Sequence, residues 1–459
     1  MSADRIPAAH RAFAGRRALV MGLGSFGGGA GAVRYLASLG ARVTATDRRD
    51  AAGLAPTLAG LADLEVEYVL GQHRPEDFER AELVVVNPSV RPDDALLARA
   101  RAAGAELTSE IELFLEAVRA RVVAITGTQG KSSTTHLTHG LLSGAGRRVH
   151  LGGNIGGSLL PALAEIGADD CVVLELSSYQ LEALNARAGA ARLEAVAVVN
   201  ILQDHLERHG TLAAYAAAKQ RILELLRPGG TAILPADDPR FTDWPVPGER
   251  LDFSLRDTGA GLHLAHGHFC LDGELLAPLE ALHLPGDFQR ANALVALGLA
   301  RRLGCTPREL ATALPHVAGL DHRLQELGRF RGRRVIDNAV STTPDSTISA
   351  LQALPPGTVL LLGGRAKRLA LDELVAVARE RVALAIPFGE AAPLFANALR
   401  AGGVAVREAP DVRTAVALSL ELAAPEATVL FSPAGSSFDA YANFKERARD
   451  FRTALEALR

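Results

Sequence analysis

Runs of branched aliphatic residues alternate with alanine-rich stretches along most of the chain, and this alternation limits the fold more than any single motif. RRALVMG, ARVTATD, LEVEYVL and ELVVVNPSV have the length of strands, and AGAVRYLASLG and DDALLARARAAG between them read as helices. Strands separated by helices make parallel sheets with crossover connections, so the predicted class is α/β. A helix from Ser109 through Arg119 leads to RVVAITG, where a second such unit opens and continues through CVVLELS and EAVAVVNIL. The pattern breaks between Pro315 and Gly319, after which RVIDN, TVLLLGG, VALAIPFG and ATVLFSPAG supply a third. A chain of 459 residues is too long for one hydrophobic core, so three α/β domains are predicted, over residues 1–118, 119–318 and 319–459.

The formal net charge of −3 and the lack of a long basic block argue against nucleic acid or an anionic membrane as a partner. Cys171, Cys270 and Cys305 lie far apart with no CxxC pair, which predicts buried thiols and neither a zinc site nor disulfides. No apolar run approaches the roughly 18 residues that cross a bilayer, and the amino terminus lacks the apolar region of a signal peptide. The expectation is a cytoplasmic monomer acting on small anionic ligands.

Two glycine-rich turns carry the chemistry. Gly22, Gly24 and Gly27 form G-x-G-x-x-G between a strand and a helix, and Asp47 closes the next strand, the context of a dinucleotide fingerprint. The module has one mononucleotide-binding half, which suits a single nucleotide diphosphate better than a dinucleotide. A nicotinamide-dependent oxidoreductase, or glycines that merely allow close packing, are the alternatives. The second turn, GTQGKSSTT, follows RVVAI and opens a helix, so amide groups and the helix dipole face any anion that enters. Gly127 lies only three residues before Gly130, shorter than the usual phosphate-loop spacing. Lys131 offers a charge for the β and γ phosphates, and Ser132 or Ser133 a hydroxyl for magnesium.

Further polar groups fall at the ends of neighbouring strands, where doubly wound sheets bind ligands. Glu175 ends CVVLEL, and Asp204 with His205 follows AVAVVNIL. Taken singly, Glu175 reads as a helix-capping acid and His205 as a core histidine; beside a phosphate loop both become candidate metal ligands. Lys219 sits in the alanine-rich TLAAYAAAKQRIL, either as a buried amine or as an ordinary solvated lysine.

GTQGKSSTT, GGNIGGSLL, LELSSYQLE, NILQDHLERHGTLAAYAAAKQRIL, PGDFQRANALVAL, GLDHRLQELG and SPAGSSFDAYANFKERARDF, in this order and spacing, resemble the Mur ligases over nearly the whole chain. These are ATP-dependent amino-acid ligases of peptidoglycan precursor synthesis, and the shortened glycine loop is their version of the motif. The resemblance implies addition of glutamate, D-glutamate in the branch with the nearest motifs, to UDP-N-acetylmuramoyl-L-alanine through an acyl phosphate. It implies a Rossmann-like first domain with Leu23, Ser25, Asp47 and Arg48 near the uridine diphosphate, and Asn154 at the muramoyl-alanine end. It implies a central P-loop ATPase-like domain in which Gly127, Thr128, Gly130, Lys131, Ser132 and Ser133 bind ATP and Asn292 contacts adenine. Arg323 would reach the phosphates from a Rossmann-like third domain, where Thr342, Lys367, Ser437, Phe438 and Phe444 would meet the incoming amino acid. Ser132, Glu175, His205 and Lys219 would hold Mg²⁺, Lys219 as its carbamate, so that Lys131, Glu175, His205 and Lys219 are the implied catalytic groups.

The third domain departs from the D-glutamate branch. Many members carry Asp-Ser-Lys-Ala-Thr where this chain has Asn338-Ala339-Val340-Ser341-Thr342, and an acid where it has Arg365. The lysine is lost, and Thr342 and Lys367 remain to meet an anionic side chain. L-glutamate, or a folylpolyglutamate-type substrate, is therefore the rival within the ligase class.

Overall fold

The computed structural model describes residues 8–24, 27–185, 191–366 and 370–459. Ser25 and Lys367 lie outside the described residues. Met1–Leu282 with Asn292–Val317 form one compact unit, and His283–Ala291 with Ala318–Arg459 form another.

The first unit contains two sheets. In one, β1 (Arg17–Met21), β2 (Arg42–Asp47), β3 (Glu67–Leu70), β4 (Leu83–Val86) and β5 (Glu106–Thr108) run parallel in the order β3-β2-β1-β4-β5. The chain order reverses at β1, so the turn after β1 and the turn after β4 flank the crevice where such sheets take ligands. The LVVV of β4 is buried throughout, as expected of a strand covered on both faces. The helix expected from Ser109 to Arg119 spans Glu110–Ala117. Ser109 and Glu112 form a capping box at its start, and Val118 is already extended at its end.

The other sheet has the order β14-β13-β12-β11-β10-β9-β6-β8-β7. Its parallel part is β6 (Arg121–Thr126), β7 (Val149–Gly153), β8 (Cys171–Glu175), β9 (Leu193–Val198), β10 (Leu226–Pro235), β11 (Glu249–Phe253) and β12 (Leu262–Ala265), and β13 (His268–Leu271) and β14 (Glu274–Pro278) extend it antiparallel. One apolar core joins the two sheets, running from Val33 and Leu36 through Phe114 to Leu174 and Tyr215. The three cysteines are free and buried, as predicted.

The second unit has a five-stranded sheet of order β15-β16-β19-β17-β18. β16 (Arg333–Asp337), β17 (Thr358–Gly363), β18 (Val382–Phe388) and β19 (Thr428–Ala434) are parallel, and β15 (Gln325–Phe330) is an antiparallel edge. The predicted α/β class with three sheets is the observed one. Among the described residues no helix is long and apolar enough to cross a membrane.

Candidate active site

β6 lies between β8 and β9, with Ile125 opposite Glu175 and Thr126 opposite Val198. This register brings the phosphate-loop turn, the end of β8 and the residues after β9 to one edge of the sheet. The turn is stapled from the β9 side. Asn200 Oδ1 accepts from the amides of Thr128 (3.2 Å) and Gln129 (3.0 Å), its Nδ2 donates to the Gln129 carbonyl (3.0 Å), and Thr128 exchanges hydrogen bonds with Leu202. Gly130 caps the helix Lys131–Gly144 with φ of 81°, and a Cβ there would lie 2.4 Å from Asn292 Oδ1. Asn292, 2 % exposed, accepts from Thr134 on that helix, so the structure places it against the loop's own scaffold. Lys131 Nζ donates to the Thr128 carbonyl at 2.7 Å, which holds the ammonium over the turn.

Glu175 is 1 % exposed. Its Oε1 accepts from Asn154 Nδ2 at 2.7 Å, and Asn154 N donates to the Glu175 carbonyl, which fixes the GGNIG turn against the end of β8. Among the described residues, Glu175 Oε2 and Ser133 Oγ are buried without a hydrogen-bond partner. Orphaned buried oxygens of this kind are costly, and both are donors of the hard type that magnesium takes. His205 adopts φ of 52°, a sparsely populated conformation for a non-glycine residue, and its Nδ1 lies 3.4 Å from Tyr179 Oη. Asp204 is 3.5 Å from its Nε2.

Lys219 is not a solvated helix lysine. It is 1 % exposed, its Nζ is 4.6 Å from the Tyr215 ring centre, and it reaches Thr126 Oγ1 at 3.4 Å. Burial, followed by the nearby Lys131 charge, holds its amine well below the ordinary lysine range, although Asp204 and Glu175 oppose the shift. As an ammonium this group would repel a cation; as a carbamate it would supply oxygen ligands beside Glu175, so the donor set fits magnesium only in that form.

A cleft of about 930 Å³ within this unit is lined by the turn after β1 and, from the second glycine-rich turn, by Lys131. Asp47, Arg48, Lys131, Asn154, His205 and Lys219 all face it. Asp47, however, spends its carboxylate on the first turn itself. Oδ2 accepts from the amides of Leu23 (3.0 Å) and Gly24 (3.4 Å), and both oxygens pair with Arg49. Burial pushes this carboxyl up, but the Arg49 bonds and charge outweigh it, and the net shift is downward. Leu23 is fully buried and offers the cleft no side chain. Arg48 is three-quarters exposed and 3.8 Å from Asp94.

Sequence reasoning missed Asn200, Asn87 and Arg208. Asn87, just after β4, donates to the Gly22 carbonyl and accepts from Ser89. Arg208 donates to the carbonyls of Ser89 and Val90 and pairs with Glu182, tying the β4 turn to the helix after β8. Asn200 and Asn87 share a sequence signal, a polar residue directly after a β-branched run.

In the second unit, Arg323 follows His322, which has φ of 62°. The His322 ring is edge-on to Phe444 at 6.2 Å, and its Nδ1 donates to the carboxylate of the buried Asp337 at 2.8 Å. Ser437 is 3 % exposed and the neighbouring Phe438 64 %. Thr342 is half-buried after β16. The unusual Asn338 is a buried strut, accepting from Leu324 N and donating to Ser432 Oγ, which suits a neutral amide there. Arg365 pairs with Glu390 at 3.1 Å.

Three family models match the chain: Mur ligase MurD-like, N-terminal domain, over residues 16–109; Mur ligase middle domain over 125–300; and Mur ligase, glutamate ligase domain, over 322–435. The chain is 35 % identical over 463 residues to the UDP-N-acetylmuramoylalanine--D-glutamate ligase of Roseiflexus, covering 97 % of this chain and 99 % of that one. The protein of the same name from Geotalea uraniireducens is 35 % identical over 96 % of this chain and 98 % of its own length. Among solved structures, MurF from Acinetobacter baumannii superimposes with a TM-score of 0.61 at 16 % identity, covering 97 % of this chain and 92 % of that one. UDP-N-acetylmuramate-alanine ligase MurC from Thermotoga maritima does so with 0.59 at 18 %, covering 97 % and 100 %; at these identities the likeness is one of fold. With family models over most of its length and relatives matched end to end, the chain belongs to the Mur ligase family.

Proposed function

We propose that this chain joins D-glutamate to UDP-N-acetylmuramoyl-L-alanine at the expense of ATP, in peptidoglycan precursor synthesis. The reading is carried by the end-to-end identity with D-glutamate ligases, and the cleft that the first glycine-rich turn shares with Lys131, Asn154, His205 and Lys219 supports it. The first sheet would hold the uridine diphosphate around the turn after β1, and the carboxylate end would lie near Asn154. The proposed division is a uridine-nucleotide domain over residues 1–118, an ATP domain over 119–318 and an amino-acid domain over 319–459.

A carboxylate does not react with an amine in water until it carries a leaving group, so the γ-phosphoryl of ATP passes first to the alanine carboxylate. The glutamate amine then attacks the acyl phosphate, and the tetrahedral intermediate expels phosphate. The protein's work in the first step is to align two anions and offset their repulsion. Lys131 and the amides of Thr128 to Ser133 would take the phosphates, with Asn200 keeping the turn in shape. Arg323 would add a charge from the second unit, and Thr342, Lys367, Ser437, Phe438 and Phe444 would receive the amino acid. Magnesium, held by Ser132 or Ser133, Glu175, His205 and carbamylated Lys219, would supply charge neutralisation between the γ-phosphate and the acceptor carboxylate.

Phosphate release from ATP, measured with UDP-N-acetylmuramoyl-L-alanine and a panel of D- and L-amino acids, tests the assignment. Release that requires both the nucleotide substrate and D-glutamate is expected. Release dependent on L-glutamate alone would move the assignment to the other enantiomer, and release dependent on neither would remove it.

A further inference from the structure

Arg447 is the largest fully buried side chain among the described residues, at 0 % exposure on the helix Phe444–Glu456. Its Nη1 donates to the Gly435 carbonyl at 2.9 Å and its Nη2 to the Ala339 carbonyl at 3.3 Å, while Nε is buried without an acceptor among the described residues. Among the described residues it forms no ion pair within 4.0 Å. A buried guanidinium without a contacting carboxylate is expensive and persists only where something repays it. Burial lowers it to about 10, with Asp439 and Tyr441 opposing, so it remains a cation at neutral pH.

Its position suggests what that is. Gly435 follows β19, Ala339 follows β16 and Gly364 follows β17, the three adjacent parallel strands of the sheet. The guanidinium sits beneath all three carboxyl ends, where an α/β sheet takes its ligand. A Cβ on Gly364 would come within 2.6 Å of Arg447 Nη1 and 2.2 Å of the Ser436 carbonyl, so the fit requires glycine. Ala434, at φ of 58°, begins the strained turn that leads to Ser437, and strain of this kind needs bracing. Arg365 and Ser436 pair backbone to backbone across the same opening.

We infer that Arg447 is a positioning residue for the amino-acid step: it braces the strand-end turns that carry Ser437 and sets a positive charge with no carboxylate in contact behind the site that receives the incoming amino acid's carboxylate. The inference rests on the ligase reading above and adds to it a buried source of positive field. Asp439 is the acid that moderates this charge, with Oδ2 on the Glu390 amide and Oδ1 buried without a partner.

Steady-state kinetics of Arg447→Lys, Arg447→Met and Asp439→Asn, with melting curves for each, test it. Arg447→Met should raise the KM for glutamate by about thirtyfold, the scale of a unit charge several ångström away in a partly dry site, with the KM values for ATP and the nucleotide substrate near wild type. Arg447→Lys should stay within about fivefold, because it keeps the charge and loses only the fork. Asp439→Asn should lower the KM for glutamate, and it decides the matter if the methionine variant does not fold. Equal KM values in the lysine and methionine variants, an unchanged KM in the methionine variant, or no fall in Asp439→Asn would each overturn the inference. A wild-type enzyme that releases no phosphate with any amino acid would instead remove the ligase reading itself.

Discussion

The first unit contains the same device twice, a strand, a glycine-rich turn and a helix, and the two copies end differently. After β1, Asp47 and Asn87 satisfy the described part of the turn from within: Asp47 takes the amides of Leu23 and Gly24 and pairs with Arg49, and Asn87 donates to the Gly22 carbonyl. After β6, Asn200 shapes the turn with a neutral amide. Among the described residues, the nearby Glu175 Oε2 and Ser133 Oγ have no hydrogen-bond partner, and Lys219 is buried with no ion pair within 4.0 Å. On the proposed reading the first, satisfied turn would hold the nucleotide substrate and the second, unsatisfied turn would take ATP, so binding and chemistry should be separable, and four substitutions probe the division.

The largest effect is expected at Lys219. Lys219→Ala should lose activity by about a thousandfold or more, the scale of removing a group that orders the charge at a metal-assisted transfer. A short-chain carboxylic acid at high concentration should restore part of it, because it can occupy the carbamate's place without the side chain's effective molarity. Near wild-type turnover without added acid, at saturating magnesium, would take Lys219 out of the site.

Lys131→Ala should reduce ATP-dependent turnover by about a hundredfold or more. Calorimetry should show its affinity for UDP-N-acetylmuramoyl-L-alanine within about tenfold of wild type, or 1.4 kcal/mol. A greater loss of nucleotide-substrate affinity would mean that the two turns act as one site. Asn200→Ala sharpens the same contrast. Removing the neutral staple should raise the KM for ATP by about tenfold, in keeping with one or two hydrogen bonds at about 1 kcal/mol each. An unchanged KM would show that the turn holds its shape alone.

The smallest effect concerns the satisfied turn. Asp47→Asn should lower stability by about 1–2 kcal/mol through loss of charge-assisted bonds, with little change in kcat. The carboxyl of Asp47 is lowered in the folded state, so its contribution is fully present above the ordinary aspartate value of about 3.9 and is lost as the pH falls through the lower folded value. Urea unfolding at pH 7 and in the acid range should therefore show the wild-type advantage shrinking as the pH drops. A constant difference would contradict the ionised staple.

The division was partly legible in the sequence. Alternating β-branched and alanine-rich runs sufficed for the α/β class and the third sheet, because periodicity is a local property. Lys131, Glu175 and His205 were legible as strand-end polar groups. The burial of Lys219 was left open, because an alanine-rich flank suits an exposed helix as well as a covered one; Tyr215 and Thr126 settle it in space. Asn200 was legible only as a polar residue after a β-branched run; its role was not, since it acts on Gln129 across 71 residues through the β6–β9 register. Asp47 was legible as the acid that closes the strand after the first glycine-rich turn, but a fingerprint carries no information about where its carboxylate turns. Arg447 was hidden by its context, the charged helix FKERARDFRTALE, which reads as a solvated face.

The chemistry assigned to the unsatisfied turn can be tested by following one oxygen atom. If the γ-phosphoryl is transferred to the alanine carboxylate, UDP-N-acetylmuramoyl-L-alanine labelled with oxygen-18 in that carboxylate must pass one labelled oxygen to each phosphate released during ligation to D-glutamate. The account predicts this transfer, read by mass spectrometry of the phosphate. Unlabelled phosphate, with amide product still formed, would contradict activation through an acyl phosphate.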